Sequence, residues 1–120
     1  MTSGTFNTLV GGNAGDALTT GSRNVAIGFG SLSLEDDHGR NVAVGHSTLA
    51  SLNAGADGNN TAIGFEAGYA MTTGKFNTAI GGSSMGVGVV TGDDNTAIGS
   101  KSQLNVTSGC LFYTSPSPRD

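Results

Sequence analysis

One pentapeptide, written six times, limits what this chain can fold into more than any other feature. Each copy reads Asn-(Thr/Val)-(Ala/Leu)-(Ile/Val)-Gly, and the copies begin at Asn7, Asn24, Asn41, Asn60, Asn77 and Asn95. The steps from one starting Asn to the next are 17, 17, 19, 17 and 18. A period this short is typical of stacked-repeat proteins, in which one unit cannot bury its own apolar face and neighbouring units complete the core.

Each pentapeptide predicts a short strand, because its β-branched residues recur with a period of two and Gly ends the run. The predicted strands are 8–10, 25–27, 42–44, 61–63, 78–80 and 96–98. Gly falls in every window long enough for a helix, which argues against helices. The looser second half of each repeat predicts another short strand and a second Gly-marked corner. We therefore expect an all-β fold, a parallel β-roll or β-solenoid of about six short rungs.

The alternation within each pentapeptide predicts two faces, since the second and fourth residues point one way and the third points the other. We expect the fourth residues to form the core ladder: Val10, Ile27, Val44, Ile63, Ile80 and Ile98. The third residues then form an outer strip of small side chains, proposed as a trimer face: Ala26, Ala43, Ala62, Ala79 and Ala97. The alternative is that this Ala strip faces water.

The invariant first residue predicts a ladder of hydrogen-bonded Asn side chains at one corner of the coil. Asn tolerates left-handed corners and can bond to the rungs above and below it. The expected corner ladder is Asn7, Asn24, Asn41, Asn60, Asn77 and Asn95. The alternative is that each Asn is a plain turn residue.

Composition excludes several functions. The pI near 4.8 and the five basic residues argue against binding nucleic acid through a basic patch. No apolar stretch is long enough to span a bilayer, so no membrane insertion is expected in this segment. The single Cys allows no internal disulfide.

No catalytic or metal-binding constellation stands out. The acidic corner Glu35-Asp36-Asp37-His38, with His46 nearby in sequence, is expected to be a solvated loop, because contiguous residues rarely converge on one ion. Asp57 and Asp93-Asp94 do not fit the pattern of calcium-binding β-rolls. One Cys and two His supply no nucleophile–base–orienter set. We expect no enzyme activity, no metal and no cofactor.

The repeats resemble the head domains of trimeric autotransporter adhesins (YadA-like) and, more closely, tail-fibre-type proteins of phages and bacteria. The likeness rests on Gly-Lys-Phe-Asn-Thr-Ala-Ile-Gly (74–81) and on Thr-Thr-Gly (19–21 and 72–74). It implies a left-handed parallel β-roll, a homotrimer, and a place in a virion tail fibre or on a bacterial cell surface. The longer third unit and the acidic corner depart from the pattern.

The last eleven residues, 110–120, break the repeat abruptly. They resemble a sequencing-library adapter read in frame, with Phe112 in place of a Leu codon that differs by one base. This predicts two segments: 1–109, a β-roll repeat domain from a longer fibre, and 110–120, a non-native, unstructured tail. The alternative is a natural Pro-rich linker.

The expected function is structural and adhesive: a segment of a trimeric surface fibre that attaches to a host or another surface. Exposed corner residues such as Phe29, Phe65-Glu66 and Tyr69 are expected to contact a glycan or protein receptor. The alternative is an ice- or crystal-binding β-solenoid, which needs ranked Thr-x-Thr pairs on a flat face. Thr19-Thr20 and Thr72-Thr73 are adjacent pairs that the other repeats lack.

Overall fold

The computed structural model describes residues 3–103 and the backbone of Phe112–Tyr113. It is a parallel β-solenoid whose strands form one sheet in chain order. The strands are β1 (Thr8–Val10), β2 (Val25–Ile27), β3 (Val42–Val44), β4 (Thr61–Ile63), β5 (Thr78–Ile80), β6 (Thr96–Ile98) and β7 (Phe112–Tyr113). The first six match the predicted strands, so the pentapeptide does set the strand positions.

Equivalent residues of successive rungs are paired, so the sheet is fully in register. Val25, for example, pairs with Thr8 on one side and with Val42 on the other. Each strand is held at both ends: the Val42 N–H donates to the Asn60 carbonyl at 2.8 Å, and the Gly64 N–H donates to the Val44 carbonyl at 2.9 Å. The same two bonds recur along the stack, so each rung satisfies the backbone of its neighbour.

The second half of each repeat was predicted to be a strand, and this is wrong for most rungs. Within the described residues it consists of turns, apart from one isolated parallel bridge between Met71 and Val90. The turns depend on left-handed residues that are mostly not Gly. One of them precedes each repeat Asn; these are Phe6, Arg23, Arg40, Asn59, Phe76 and Asp94, with φ between 50° and 61°. The repeat Asn itself does not have a positive φ.

The two faces of the sheet are the reverse of the prediction. Ala26, Ala43, Ala62, Ala79 and Ala97 are completely buried inside the coil. The proposed core ladder lies on the outside: Val10, Ile27, Ile63 and Ile98 are 37–56% exposed, and Val44 and Ile80 are partly buried. The Ala strip therefore cannot be a trimer face, and the β-branched ladder is not the core.

Large side chains from the turns explain this reversal. The interior is filled from the side opposite the strands by two columns of bulky residues: Leu32, Leu49 and Met85 in one, Leu18, Leu52, Met71 and Val90 in the other. Because protein interiors are close-packed, the facing strands have room only for a methyl group. The first rung supports this account. Its third position is Leu9, and the turn opposite carries Gly15, where a Cβ would lie 2.8 Å from a Leu9 methyl.

The tail was predicted to be unstructured, and this is wrong for its two described residues. Phe112 and Tyr113 pair in parallel with Thr96 and Ala97 of β6. The rest of the tail, and residues 104–109 of the predicted repeat domain, lie outside the described residues. Among those described, no helix is long and apolar enough to cross a membrane.

Candidate functional site

The six repeat Asn residues form a continuous hydrogen-bonded column along one corner of the coil. Each Asn Oδ1 accepts the backbone N–H of the next Asn, at 2.8–3.1 Å for all five steps. Side-chain Nδ2 groups also donate to turn carbonyls, as from Asn60 to Gly74 at 2.9 Å. The five Asn from Asn24 onward are completely buried. The column therefore links successive rungs through side-chain hydrogen bonds at the corner that precedes each strand. Its role is structural.

The column continues through the long third unit but lacks one side-chain hydrogen bond there. The Asn41 Nδ2 is buried and has no partner among the described residues. Its neighbours Asn24 and Asn60 donate to carbonyls of His38 and Gly74, which lie 14 residues further along the chain. The step from Asn41 to Asn60 is 19 rather than 17, so the turn of the third unit brings no carbonyl to this position. This is a weak point in the stack rather than a binding group.

The outer face of the sheet carries the exposed apolar ladder. Successive members lie directly above one another, because Ile27 pairs with Val44, Val44 with Ile63, and Ile63 with Ile80. The second residues of the strands share this face, and β4, β5 and β6 place Thr61, Thr78 and Thr96 in a second column. We call this surface the outer ladder. It is repetitive, and each rung contributes two side chains to it, of which the fourth residue of the pentapeptide is always aliphatic.

An aromatic column follows the strands at the next corner. Phe29, His46 and Phe65 occupy equivalent positions in three successive rungs and stack with ring centroids 5.5 and 5.3 Å apart. All three side chains are exposed. His46 is near the acidic corner in sequence, and only the alignment of the rungs places it with the two Phe residues. His46 lies in this stack and not at that corner.

A groove of about 470 Å³ opens beside the aromatic column. Phe29 lies on one side of it and Tyr69 on another, and these rings are 57% and 43% exposed. Between them the lining is mainly short and polar, with Asn13, Asp16 and Ser47 among its members. The lining residues that the structure describes come from four successive rungs, and no residue of the outer ladder is among them.

The acidic corner differs from the predicted solvated loop. Glu35 is completely buried and occupies the Leu18–Leu52 column, one repeat away from each of these residues. Its two carboxylate oxygens accept the N–H groups of His38 at 3.3 Å and Ala54 at 3.2 Å. Oxygens or nitrogens of Glu35, Asp36 and His38 lie within 4.8 Å of one another. Since both Glu35 oxygens accept backbone N–H groups, this carboxylate fastens the corner to the next rung.

Surface charges reinforce the same stacking. Arg40 and Asp57 form an exposed ion pair at 3.0 Å, which is worth little by itself. Asp37 accepts hydrogen bonds from the hydroxyls of Thr19 at 2.7 Å and Thr20 at 3.0 Å. These bonds favour the carboxylate and lower the pKa of Asp37 below its ordinary value of 3.8.

Comparison of the chain with protein-family models, with curated proteins and with solved structures finds no match.

Proposed function

We propose that this chain is a structural and adhesive segment of a trimeric surface fibre, of the kind found in phage tail fibres and bacterial adhesin heads, and that it contributes to surface attachment. The observation that supports this proposal best is the outer ladder, in which every rung places one β-branched aliphatic side chain at the same position on the outside, four of them 37–56% exposed and two partly buried. A monomer would leave this apolar face in contact with water, whereas contiguous exposed apolar surface usually marks an interface. Three chains that pack along this ladder cover it over the full height of the stack.

The energetics favour a long fibre over a short one. Full burial of an aliphatic side chain contributes ~1.5–3 kcal/mol, so covering the exposed two-fifths of one ladder residue contributes roughly 1 kcal/mol. Six rungs contribute roughly 5 kcal/mol per chain, which is comparable with the ~4–15 kcal/mol that association costs. Trimerisation of six rungs is therefore marginal, and each added rung, or a separate trimerising segment, makes it favourable.

A trimeric coiled coil fused to the chain tests this proposal. The fusion removes most of the association cost, so the thermal melting temperature should rise by ~10 °C or more over that of the unfused chain, at ~4–8 °C per kcal/mol. Replacing Ile63 and Ile98 together by Lys should abolish the gain, because six ammonium groups would meet at the trimer axis. The unfused double variant should melt close to the unfused parent chain.

A matched control comes from apolar residues away from the outer ladder. Val87 and Val89 are 52% and 57% exposed, and changing both to Lys in the fusion should leave the gain intact. Sedimentation equilibrium reports the oligomeric state of each variant. The proposal is wrong if the fusion and the unfused chain have the same melting temperature. It is also wrong if the Val and Ile double variants lose the rise in melting temperature equally.

The column of Thr61, Thr78 and Thr96 supports ice or crystal binding as a second candidate function. These hydroxyl side chains lie one rung apart on a flat face, although the partner column is Ile rather than Thr. A thermal hysteresis assay on the unfused chain separates the two functions. Hysteresis that disappears on changing all three Thr residues to Val would support ice binding, and no hysteresis would exclude it.

A further inference from the structure

The groove beside the aromatic column has a preformed backbone. Three of its lining residues, Asn13, Gly30 and Ser47, have left-handed backbones with φ of 58°, 66° and 53°. Bonds between rungs fix two of them: Gly30 N–H donates to the Gly12 carbonyl at 2.9 Å, and Ser47 N–H donates to the Phe29 carbonyl at 2.8 Å. A ligand would therefore meet a rigid surface and would not have to order a loop.

The polar side chains of the groove have unused hydrogen-bonding capacity. Asn13, Asp16, Ser47 and Ser51 form no side-chain hydrogen bond with any residue that the structure describes, whereas Ser33 donates weakly to the Ala50 carbonyl at 3.4 Å. Asp16 is the only charged residue in the described part of the lining. The groove thus offers amide, hydroxyl and carboxylate groups to a ligand that both donates and accepts hydrogen bonds.

The aromatic rings add apolar surface to this polar lining. The Phe29 ring stacks on His46, and its other side lies over Gly12, where a Cβ would be 3.3 Å from the ring. Because Gly12 has no side chain, no Cβ lies against that side of the ring, and Phe29 as a whole is 57% exposed. Tyr69 supplies a second exposed ring three rungs from Asn13, a span of about 14 Å at ~4.8 Å per rung.

From this arrangement we propose that the groove binds a neutral oligosaccharide. Sugars present C–H faces that pack on aromatic rings and hydroxyls that bond to Asn, Ser and Asp side chains. The length suits a short oligosaccharide rather than a single sugar. Basic residues are absent from the lining that the structure describes and Asp16 is anionic, so sialylated, sulfated and phosphorylated ligands are disfavoured. This inference rests on the proposed adhesive function and deepens it by naming its ligand class, and a trimer would present three grooves.

Gly30 allows a direct test, because the chain itself shows which substitution its backbone tolerates. The equivalent residue is Asn13 in the first rung and Ser83 in the fifth, with φ of 58° and 57°. A Cβ at Gly30 would meet only the Ser47 hydroxyl, at 3.6 Å. Gly30→Asn should therefore place a side chain in the groove and keep the fold. Ser83→Asn makes the same residue at the same place in a rung outside the groove.

The full chain and its variants are incubated with immobilised neutral oligosaccharides of glucose, galactose, mannose and N-acetylhexosamines, and with sialylated and sulfated counterparts. We expect binding to at least one neutral oligosaccharide, reduced about tenfold or more by Asp16→Ala and by Gly30→Asn. Ser83→Asn should bind like the parent chain. Circular dichroism verifies that each variant is folded.

Three outcomes overturn the proposal: no binding to any neutral oligosaccharide, tighter binding to the anionic counterparts, or binding that Gly30→Asn leaves unchanged. The outcome is distinguishable from that of the trimer test, since no described residue of the outer ladder lines the groove. A chain that sediments as a monomer and binds a neutral oligosaccharide would refute trimeric assembly and support binding in the groove. A trimer that binds no oligosaccharide would support assembly and refute binding in the groove.

Discussion

Replacing Asn60 by Ala should destabilise the chain strongly, although it removes only a few atoms. Asn60 is completely buried. Its Oδ1 accepts the Asn77 N–H at 2.9 Å, and its Nδ2 donates to the Gly74 carbonyl at 2.9 Å. The substitution leaves both partner groups buried and unsatisfied, and each costs ~1–3 kcal/mol. We expect a loss of roughly 3–4 kcal/mol, a large part of the ~5–15 kcal/mol typical of a whole domain.

Asn7 provides the matched control, because it forms the same two bonds at a more exposed end of the column. Its Oδ1 accepts the Asn24 N–H at 2.8 Å and its Nδ2 donates to the Gly21 carbonyl at 2.7 Å. Asn7 is only partly buried, so water can replace the lost partners, and Asn7→Ala should cost about 1 kcal/mol.

Urea unfolding gives the free energies of the two Asn→Ala variants, and hydrogen exchange of the Asn77 amide gives the local effect. In Asn60→Ala the protection of that amide should fall, while in Asn7→Ala it should not. Equal losses for the two variants, or an Asn77 amide that stays protected in Asn60→Ala, would refute the view that the Asn column joins the rungs.

Three further substitutions test the packing and the charges. Gly64→Ala should prevent stable folding, because φ is +132° and a Cβ would lie 2.8 Å from the next rung's backbone. Gly82→Ala, where φ is not positive and nothing lies within 4 Å of the added Cβ, should cost at most about 1 kcal/mol by thermal melting. By urea unfolding, Ala62→Asp should lower the free energy of unfolding by several kcal/mol, because it buries an unpaired carboxylate, whereas Ile63→Asp should lower it by about 1 kcal/mol or less. The opposite order would show that the β-branched residues form the core. Because the pKa of Asp37 is lowered in the folded chain, its carboxylate contributes stability that is present above the unfolded pKa and is lost as pH falls through the folded pKa. Asp37→Asn should therefore melt at a lower temperature than the parent chain at neutral pH, and this difference should disappear in acid below pH 3.8. A difference in melting temperature that persists in acid would contradict this linkage.

The strand positions could be predicted from sequence because the pentapeptide carries them locally. β-branched residues and a terminal Gly specify an extended run, and the fixed period aligns one run with the next. The direction of the faces could not be read from the same five residues. Alternation shows that Ala62 and Ile63 point to opposite sides, but the inside is decided by what the rest of the rung supplies. Here the turns supply Leu49 and Met71, and little space is left for the strand.

A signal for this packing was present outside the pentapeptide. Leu18 and Leu52 are two repeats apart in the sequence, and Glu35 lies midway between them. The regular step of the repeat therefore places the three residues in one column, which predicts a buried Glu35 rather than a solvated corner. The left-handed residues before each Asn carried no such signal. Their side chains vary from Phe to Arg to Asp, because the backbone bonds between rungs impose the conformation whatever the residue.

The reversal of the two faces strengthens the argument for assembly rather than weakening it. A buried strip of Ala needs no partner chain, since the turns already cover it, and Arg at Ala62 would disrupt the interior of a single chain. The outer ladder has no such cover within the described residues. Val or Ile occupies the fourth position of all six pentapeptides, whereas the corner residue two places later varies among Gly, Phe, His and Ser. Contact with water does not favour an aliphatic residue at the same position of every rung. A neighbouring chain that packs along the stack does favour one at that position, because it would bury each of these side chains. For this reason the test of assembly belongs at Ile63 and Ile98, on the face that the single chain leaves open.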